Sequence, residues 1–383
     1  MNKIVVILII LLSVTVIFQP CLAEETIIKS ISPNPYYDSK PSVWGNYIVW
    51  RRGINQNDNS YIDLYEPSWI MVYNIETRNT YNITPILQFL YGDKYYHAEA
   101  PEIWNNKIIY EAQAGGNSTD THLYMYDIDT KETKKMPLKS STTANGHLSL
   151  IYNDWIVYTD KQNDKKQAYL FNYNNGVYRT ILGKGSNYSI YGIVMHENNV
   201  VLTVYNQTNV FEIWNYNIET TVTDKIITNS TQIMATSVYN NLIGLTKLNI
   251  IDNETFWSIC VHDTLLNRTY FELDNTFGIL VDLDGIVYES GNNIIIETNL
   301  TTVEIPSLYN QYLGDKYNNI LVWMDNSNSN TTYGDARDDF DIYVRIFLSN
   351  EQIAVDMMYL IIPVIIIVII VAYAYKDRLR SQI

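Results

Sequence analysis

The sequence predicts an all-β fold, a seven-bladed β-propeller of four-stranded antiparallel blades, followed by one C-terminal transmembrane α-helix. Three observations lead to this prediction. A hairpin pattern recurs seven times, every copy stands in the same context of strand-like runs, and a long charge-free apolar segment precedes a basic tail. The repeats define a domain outside the membrane, and the apolar segment defines its anchor.

The recurring pattern is an Asn or Asp, one free position and a pair of aliphatic residues, as in "NKIIY". Its copies begin at Asn46, Asn106, Asp154, Asn198, Asn240, Asp284 and Asn318, with spacings of 60, 48, 44, 42, 44 and 34 residues. A period in the forties is what a four-stranded propeller blade requires. Because Asn and Asp tolerate the positive φ of a two-residue hairpin loop, each copy predicts a tight turn, made by Asn105 and Asn106 in the second copy.

Strand-like runs surround every copy. A short apolar run precedes it, a run rich in Tyr, Ile and Trp follows it, and in six copies a further run completes a four-stranded meander. The seventh copy lacks this last strand, whereas "TIIKSIS" at residues 26–32 has no repeat of its own. We therefore predict that residues 26–32 supply the outer strand of the last blade. The irregular spacings leave six or eight blades as alternatives.

Three segments carry a family resemblance: "PSVWGNYIVW", "PEIWNNKIIY" with "YMYDIDTKET", and "LVWMDNSNSN" with "DARDDFDIYVRIF". They resemble the TolB-like, WD40-like propeller repeats of archaeal cell-surface proteins, and the resemblance covers residues 41–348. It implies the propeller fold and a cell-surface location, but such repeats are structural and imply no particular activity. The fifth and sixth copies lack the proline and the "DIY" element, so the blade boundaries are least defined there.

The first 23 residues, "MNKIVVILIILLSVTVIFQPCLA", are typical of a secretory signal peptide. A lysine near the start, an apolar stretch and the small-x-small site Cys21-Leu22-Ala23 predict cleavage after Ala23. An uncleaved anchor helix is the alternative, although fifteen apolar residues are short for a full span.

Residues 357–375, "MMYLIIPVIIIVIIVAYAY", form a stretch of 19 residues without charge. As a helix this stretch spans about 28 Å, close to the thickness of a bilayer core. The basic tail that follows is expected in the cytoplasm. The predicted order is a signal peptide (1–23), an extracellular propeller (24–350), a short linker (351–356), a transmembrane helix (357–375) and a cytoplasmic tail (376–383), that is, a single-pass protein of the cell membrane.

The composition excludes several function classes. The chain has 26 basic against 41 acidic residues and a net charge of −15, which argues against binding to nucleic acid. After loss of Cys21 with the signal peptide, Cys260 has no partner for an internal disulfide. The zinc-peptidase, P-loop, dinucleotide and nucleophile-elbow motifs are missing, so no cofactor and no metal ion is predicted.

Candidate site residues lie in the loops that enter the innermost strands, where propeller enzymes usually carry their site. His97, Glu99 and His147 are the first of these, because a His and a carboxylate that converge there could act as acid and base or bind a metal. Further polar residues of these loops are Asp38, Lys40, Gln311 and Asp315. The alternative is that all are ordinary polar residues of a solvated rim.

Two insertions, residues 51–68 and 85–97, stand out as a second candidate surface. Long loops on a regular scaffold often carry binding residues. The aromatic residues expected to contribute are Phe89, Tyr91, Tyr95 and Tyr96. Packing over the blade is the alternative use of these rings.

Acidic and Asn-containing motifs complete the candidates. The motif "DARDDFD" contains Asp335, Asp338, Asp339 and Asp341. Its carboxylates are predicted either to bind calcium or to belong to a turn. Nine N-x-Ser/Thr sites are candidate glycosylation sites of the extracellular part: Asn82, Asn117, Asn187, Asn206, Asn229, Asn253, Asn267, Asn299 and Asn330.

Two functions are compatible with these observations. The first is a membrane-anchored, non-catalytic binding or scaffold protein of the cell envelope, with a protein or a glycan as its partner. The second is an extracellular propeller enzyme, such as a glycan hydrolase or lyase, with its site in the central funnel.

Overall fold

A computed structural model describes residues 27–32, 36–53, 67–84, 96–114, 121–137, 149–162, 165–182, 188–206, 208, 210–251, 254–283, 285–298, 301–307, 311–325 and 340–347. Within these residues the chain forms 28 strands in seven antiparallel four-stranded sheets. This arrangement confirms the seven-bladed propeller that the repeats predict.

The strands follow the predicted meanders blade by blade. Blade 1 contains β2 (Tyr37–Trp44), β3 (Tyr47–Gly53), β4 (Ser68–Asn74) and β5 (Asn79–Asn82). Blade 2 contains β6 (Tyr96–Trp104), β7 (Lys107–Ala114), β8 (Thr121–Asp127) and β9 (Glu132–Lys135). Blade 3 contains β10 (Ser149–Tyr152), β11 (Trp155–Gln162), β12 (Lys165–Asn172) and β13 (Tyr178–Thr180). Blade 4 contains β14 (Tyr188–His196), β15 (Asn199–Asn206), β16 (Phe211–Asn217) and β17 (Thr223–Asn229).

The remaining blades continue the pattern. Blade 5 contains β18 (Ile233–Tyr239), β19 (Leu242–Ile251), β20 (Glu254–Asp263) and β21 (Arg268–Asp274). Blade 6 contains β22 (Thr276–Asp282), β23 (Gly285–Ser290), β24 (Asn293–Thr298) and β25 (Thr302–Ile305). Blade 7 contains β26 (Gln311–Tyr317), β27 (Ile320–Asp325), β28 (Asp341–Ile346) and, from the N-terminal end, β1 (Ile27–Ser30).

Blade 7 combines strands from both ends of the chain, in the order β1-β28-β27-β26. Ile31 donates its backbone N–H to the Ile342 carbonyl at 2.8 Å, and Ile342 donates its own N–H to Ser32 Oγ at 2.7 Å. The predicted outer strand of the last blade is thereby confirmed. Pairing of this kind covers the edge that β28 would otherwise expose.

Two-residue loops join the first and second strands of the blades. Among the described residues the first loop residue has a positive φ in six of these hairpins: Gly45 (55°), Asn105 (41°), Asn153 (50°), Glu197 (51°), Asn240 (51°) and Asn318 (49°). Asn106 is left-handed as well, at 61°, so the predicted Asn-Asn turn of the second copy is confirmed. Left-handed loop residues match the twist of the flanking strands, and Glu197 shows that this position is not restricted to Asn or Gly.

The second strand of each blade packs on both of its faces, which explains why it reads as a continuous apolar run. In β7, Ile108 and Tyr110 pack against residues of blade 1, whereas Ile109 packs against Ile156 and Tyr158 of blade 3. Successive side chains point to opposite faces of a strand, so alternate residues fill the two neighbouring inter-blade cores. The inner strands β2, β6, β10, β14, β18, β22 and β26 each contact the next, and β26 contacts β2.

The fifth residues of the seven second strands occupy equivalent positions, and we call them the boundary residues. They are Arg51, Glu111, Thr159, Thr203, Thr246, Glu289 and Met324. Five of them, Arg51, Glu111, Thr203, Glu289 and Met324, contact the inner strand of the following blade. Thr203 Oγ1 accepts the Ala235 N–H at 2.9 Å, and Glu289 Oε1 accepts the Leu313 N–H at 2.7 Å. The Ala235 donor lies at a β-bulge, where the strand register shifts between Ala235 and Ser237.

Two compact units are distinguished in the chain. One comprises Lys29–Tyr317 and Leu321–Val344 and contains residues of all seven blades. The described residues of the other are 27–28, Asn318–Ile320 and 345–347, where the Phe347 N–H bonds the Asn319 carbonyl at 2.8 Å. No helix long and apolar enough to cross a membrane occurs among the residues that the structure describes. The predicted signal peptide, linker, transmembrane helix and tail lie outside them.

Candidate functional site

The channel between the inner strands has two ends, which differ in chemistry. We call the end at which the inner strands begin the entry end, and the end at which they reach the two-residue loops the turn end. Equivalent strand positions of different blades are defined by counting back from the turn end of each inner strand. The two ends can therefore be compared position by position.

At the turn end the last residue of six inner strands is aromatic or His, and we call this set the aromatic collar. It consists of Trp44, Trp104, Tyr152, His196, Tyr239 and Tyr317, all half-buried. Neighbouring ring centroids lie 4.0 Å apart for Tyr317 and Trp44, 3.5 Å for Trp44 and Trp104, 3.6 Å for Trp104 and Tyr152, 5.1 Å for Tyr152 and His196, and 4.5 Å for His196 and Tyr239.

Asp282 occupies the seventh collar position and pairs with Lys316 of the next blade. Burial lowers the pKa of Lys316 to about 8 and also lowers that of His196. Burial raises the pKa of Tyr152 to about 12, so this hydroxyl stays protonated at neutral pH. Neighbouring rings contact one another at tilts of 35–58° and are half-buried, so we interpret the collar as packing that stabilises the turn end.

At the entry end the position five residues before the end of each inner strand varies from blade to blade. Among the described residues it holds Ser39, Glu99, Tyr191, Met234, Phe277 and Tyr312. In three blades the next residue has a positive φ: Lys40 (51°), Ala100 (49°) and Gly278 (71°). These residues lie at register shifts, and such bulges change the direction in which neighbouring side chains point.

Blades 4 to 7 present an apolar arc, defined as Tyr191, Met234, Phe277 and Tyr312. The three rings are 51%, 44% and 43% exposed, respectively, so their surfaces are accessible. Each ring is also supported by a second aromatic side chain. Tyr191 contacts Phe211 edge-on with centroids 5.8 Å apart, Phe277 contacts Trp257 at 5.3 Å, and Tyr312 contacts Phe340 at 5.6 Å. Gln232 Nε2 additionally donates to the Tyr191 hydroxyl at 3.2 Å.

Blades 1 and 2 carry the Glu99 cluster, defined as Glu99, Lys40, Arg51 and His97. Glu99 Oε2 lies 3.5 Å from Lys40 Nζ, 3.9 Å from Arg51 Nη1 and 3.7 Å from His97 Nε2. Burial opposes the charge on Glu99, but His97, Lys40 and Arg51 outweigh it and hold the pKa of this carboxyl well below its usual range. His97 itself is buried, with Nδ1 3.2 Å from Ser68 Oγ.

Two further carboxylates lie deeper in the channel. Asp315 of blade 7 accepts the Ser42 hydroxyl and the Val43 N–H, both at 3.0 Å. Burial and the neighbouring Asp315 raise the pKa of Glu102 to about 8, and burial also raises that of Asp315. Glu102 is therefore largely protonated at neutral pH. In this neutral form it exerts little electrostatic repulsion on Asp315.

The structure brings two of the three predicted funnel residues together, since His97 and Glu99 are neighbours in the Glu99 cluster. His147, Phe89, Tyr91 and Tyr95 lie outside the described residues, as does the side chain of Tyr96, whose backbone belongs to β6. Asp38 forms a two-pronged pair with Arg52 at 2.8 and 2.9 Å, and Gln311 donates to Asp325 at 2.7 Å. Among the described residues no group of three His, Cys, Asp or Glu side chains is placed to hold a metal ion.

Four of the nine glycosylation candidates are described: Asn82, Asn206, Asn229 and Asn267. The first three are half-buried and bond the Thr of their own motif, as when Asn82 Oδ1 accepts the Thr84 hydroxyl at 2.7 Å. Asn267 is exposed and left-handed, with a φ of 47°. The other five, Asn117, Asn187, Asn253, Asn299 and Asn330, lie outside the described residues, as do Asp335, Asp338 and Asp339. Asp341 is buried and accepts the Ser30 hydroxyl at 3.3 Å.

The apolar arc was not predicted from the sequence, although a signal for it exists. Counting back five residues from the end of each inner strand reaches Tyr191, Phe277 and Tyr312 without any structure. The pattern is visible only after the copies are aligned on their turns and compared for what differs between them.

Comparisons with known proteins give the fold. No protein-family model and no curated protein sequence matches the chain. The β-propeller domain of the Trilobed protease from Pyrococcus furiosus, described as having an open velcro topology, is similar with a TM-score of 0.55 and 13% identity, over 81% of this chain and 93% of that chain. An oligogalacturonate lyase in complex with manganese is similar with a TM-score of 0.53 and 9% identity, over 85% of this chain and 94% of that one.

TolB from Acinetobacter baumannii is also similar, with a TM-score of 0.44 and 13% identity. The similar region covers 64% of this chain and 56% of that protein. A similar fold at such low sequence identity does not imply a shared activity. The propeller architecture implied by the resemblance to TolB-like repeats is confirmed, and the archaeal type and the cell-surface location stay predictions.

Proposed function

We propose that this chain is a non-catalytic binding protein of the cell envelope, which takes up a glycan at the entry end of its propeller channel. Residues 357–375 would anchor it in the membrane, and residues 24–350 would face the outside. The observation that carries the proposal is the apolar arc, in which each of three exposed rings contacts a second aromatic side chain, edge-on for Tyr191 and Phe277 and tilted for Tyr312.

Exposed rings that are fixed in orientation are suited to stacking against the apolar faces of sugars. Tyr and Phe supply a large contact area, and an immobilised ring loses little conformational entropy when a ligand binds. The four residues of the arc lie on four successive blades at the entry end, which favours a ligand that enters the channel from that end.

The Glu99 cluster does not favour the alternative of a hydrolase or lyase that uses His97 and Glu99. A general acid must hold a proton near the working pH, and Glu99 is kept ionised by the three nitrogens around one of its oxygens. His97 is buried against Ser68, which suits a residue that orients the cluster.

A glycan array tests the proposal with the full chain purified in detergent. The array carries neutral oligosaccharides and forms of the same backbones with carboxyl groups at C6. We expect the wild type to bind some of these glycans and the triple variant Tyr191→Ala, Phe277→Ala, Tyr312→Ala to lose that binding. Tyr270→Ala is the matched control, because Tyr270 is 41% exposed on an outer strand.

Two results would contradict the proposal. Wild-type protein that binds no glycan of either form would exclude this ligand class, and binding that survives in the triple variant would exclude the apolar arc. Release of shortened oligosaccharides, followed by mass spectrometry, would favour the enzyme alternative.

A further inference from the structure

Exposed apolar side chains occupy the turn end of blades 3 to 6. Val177 and Val222 lie in the loops between the third and fourth strands of blades 3 and 4, and Leu265 and Leu266 lie in the same loop of blade 5. Leu283 belongs to the first hairpin loop of blade 6. The three leucines are 80%, 56% and 71% exposed, respectively. Single exposed apolar residues are ordinary, but five at one end of four successive blades point to a contact surface, and we call them the apolar rim.

Backbone hydrogen bonds fix the loops after the third strands at the turn end. Ile218 and Thr264 are the first residues after the third strands of blades 4 and 5. They donate their N–H groups to the carbonyls of Asn198 and Asn241, at 2.7 and 2.8 Å. Because these two acceptors belong to the first hairpin loops of their blades, the loops that follow the third strands lie at the same end as those hairpins.

The fold of the blade 5 loop does not require its two leucines. Leu265 and Leu266 donate their N–H groups to Asp263 Oδ1 at 2.9 and 3.0 Å. The same two bonds, at 2.9 and 3.1 Å, close the loop of blade 2, in which Asp129 and Thr130 stand at these positions. Blade 4 repeats the pattern with a glutamate and a threonine. Since polar residues serve this turn equally well, the exposed leucines of blade 5 point to a contact outside the propeller.

The last strand directs the chain toward the turn end as it leaves the propeller. β28 begins at the entry end, where the Phe340 carbonyl accepts the Asp38 N–H at 3.1 Å and the Phe340 ring contacts that of Tyr312. From there β28 runs toward the turn end. Nine residues, 348–356, separate the last described residue from the proposed membrane span, and fully extended they cover about 30 Å. An anchor at residues 357–375 therefore keeps the turn end close to the bilayer.

We propose that the apolar rim docks on the outer lipid surface, with its leucines inserted into the membrane interface. The inference rests on the membrane anchoring in the proposed function and adds the orientation of the propeller. Interfacial binding grows with the apolar area that is buried, and it needs no anionic lipid, which a chain of net charge −15 would not attract. The entry end, with the apolar arc, then faces away from the membrane, where an external glycan can reach it.

The test uses the full chain in phosphatidylcholine liposomes that contain lipids with brominated acyl chains, which quench fluorophores close to them. An environment-sensitive fluorophore is attached at Leu266→Cys. Ile251→Cys is the matched control, because Ile251 is 57% exposed, against 56% for Leu266, but ends β19 at the entry end. We expect the emission at Leu266→Cys to shift to the blue and to be quenched, and the emission at Ile251→Cys to do neither. The unsubstituted chain, whose Cys260 is buried, measures the background of labelling.

A second variant separates insertion of the rim from simple tethering by the anchor. Leu265→Asp combined with Leu266→Thr gives the blade 5 loop the residues of the blade 2 loop, which forms the same turn. The fluorophore is then attached at Val222→Cys in blade 4. Quenching at this position should be lost in the double variant, because the anchor remains but the leucines no longer enter the lipid. Quenching that persists there would overturn the role of the leucines.

The inference and the proposed function fail in different ways. A chain that does not float with the liposomes in a density gradient would overturn anchoring and docking together. A chain that floats but shows equal quenching at Leu266→Cys and Ile251→Cys would overturn the docking alone and leave the anchor and glycan binding intact. A blue shift at Leu266→Cys that follows protein concentration and not brominated lipid would assign the apolar rim to a second copy of this chain, and would also overturn the docking on lipid.

Discussion

The Asp315 carboxylate of blade 7 accepts the hydroxyl of Ser42 on the inner strand of blade 1, at 3.0 Å. The same oxygen accepts the N–H of Val43, also at 3.0 Å. These bonds join the last inner strand to the first, at the junction where the repeat array closes. Glu102 of blade 2 lies close enough to Asp315 for their charges to interact, so closure of the array is coupled to protonation.

Glu102 should make the stability of the protein depend on pH. Its pKa is about 8 in the folded protein, because burial and Asp315 oppose its charge, against an ordinary value of 4.5 in the unfolded chain. The folded state thus holds a proton that the unfolded state releases, and this contribution is complete below pH 4.5 and lost as the pH rises to about 8. We expect wild type to lose stability relative to Glu102→Gln between pH 5 and 8, by at most about 1.4 kcal/mol per pH unit.

Urea denaturation at several pH values measures this difference, and Glu254→Gln, at an exposed position of β20, serves as the control. Lys40 is the cation that opposes the shift, so Lys40→Gln should raise the pKa of Glu102 further. A difference between wild type and Glu102→Gln that does not change with pH would show that Glu102 is already ionised in the folded protein.

The boundary residues Thr203 and Thr246 should respond differently to the same substitution. Both are fully buried at equivalent positions of blades 4 and 5. Thr203 accepts the Ala235 N–H, whereas Thr246 Oγ1 has no hydrogen-bond partner within the described residues. Thr203→Val should therefore cost about 1–3 kcal/mol by leaving a buried donor unpaired, and Thr246→Val should be neutral or stabilising.

Chemical denaturation of the two single variants and the double variant measures these changes. Equal losses in both variants would show that valine packs poorly at this strand position and that the hydrogen bond to Ala235 contributes little.

The N-terminal strand should stabilise the blade that it completes. Ser32 Oγ accepts the buried N–H of Ile342, so Ser32→Ala is expected to destabilise the protein by about 1–3 kcal/mol. Amide hydrogen exchange of residues 341–346 should rise in this variant more than that of blade 4. Uniform faster exchange in all blades would mean that the strand contributes to global stability only.

Glycan occupancy should follow exposure among the described Asn-x-Thr motifs. Asn267 is exposed in a turn, whereas Asn82, Asn206 and Asn229 are half-buried and bonded to the Thr of their own motifs. If the propeller is exported as proposed, peptides that contain Asn267 should carry glycan in protein from native membranes, as measured by mass spectrometry. Modification of Asn82 in the folded protein would contradict this dependence on exposure.

The elements that depend on local chemistry could be predicted from the sequence. The Asn105-Asn106 turn follows from residues that tolerate a positive φ, and the blade number follows from the repetition of that turn. The closing strand was predictable because one blade lacked a strand and residues 26–32 had no repeat.

The contacts between blades could not be predicted in this way. Thr203 meets Ala235 at a bulge, and no residue pattern marks that bulge. The contact between the Trp44 and Tyr317 rings depends on closure of the whole array, which brings the two ends of the repeat region together. The candidate site was missed in part for the same reason, since the apolar arc joins residues from four blades.

The boundary residues also make the blades non-interchangeable. Arg51 meets a carboxylate, Thr203 and Glu289 meet backbone N–H groups, and Met324 offers a sulfur to Lys40. A blade inserted in the wrong place would present its successor with an unmatched group at a buried junction, which is a device against misassembly. The order of the blades, and hence the placement of the apolar arc on blades 4 to 7 and of the Glu99 cluster on blades 1 and 2, is thus favoured by the chemistry of these junctions in addition to the fold common to all seven.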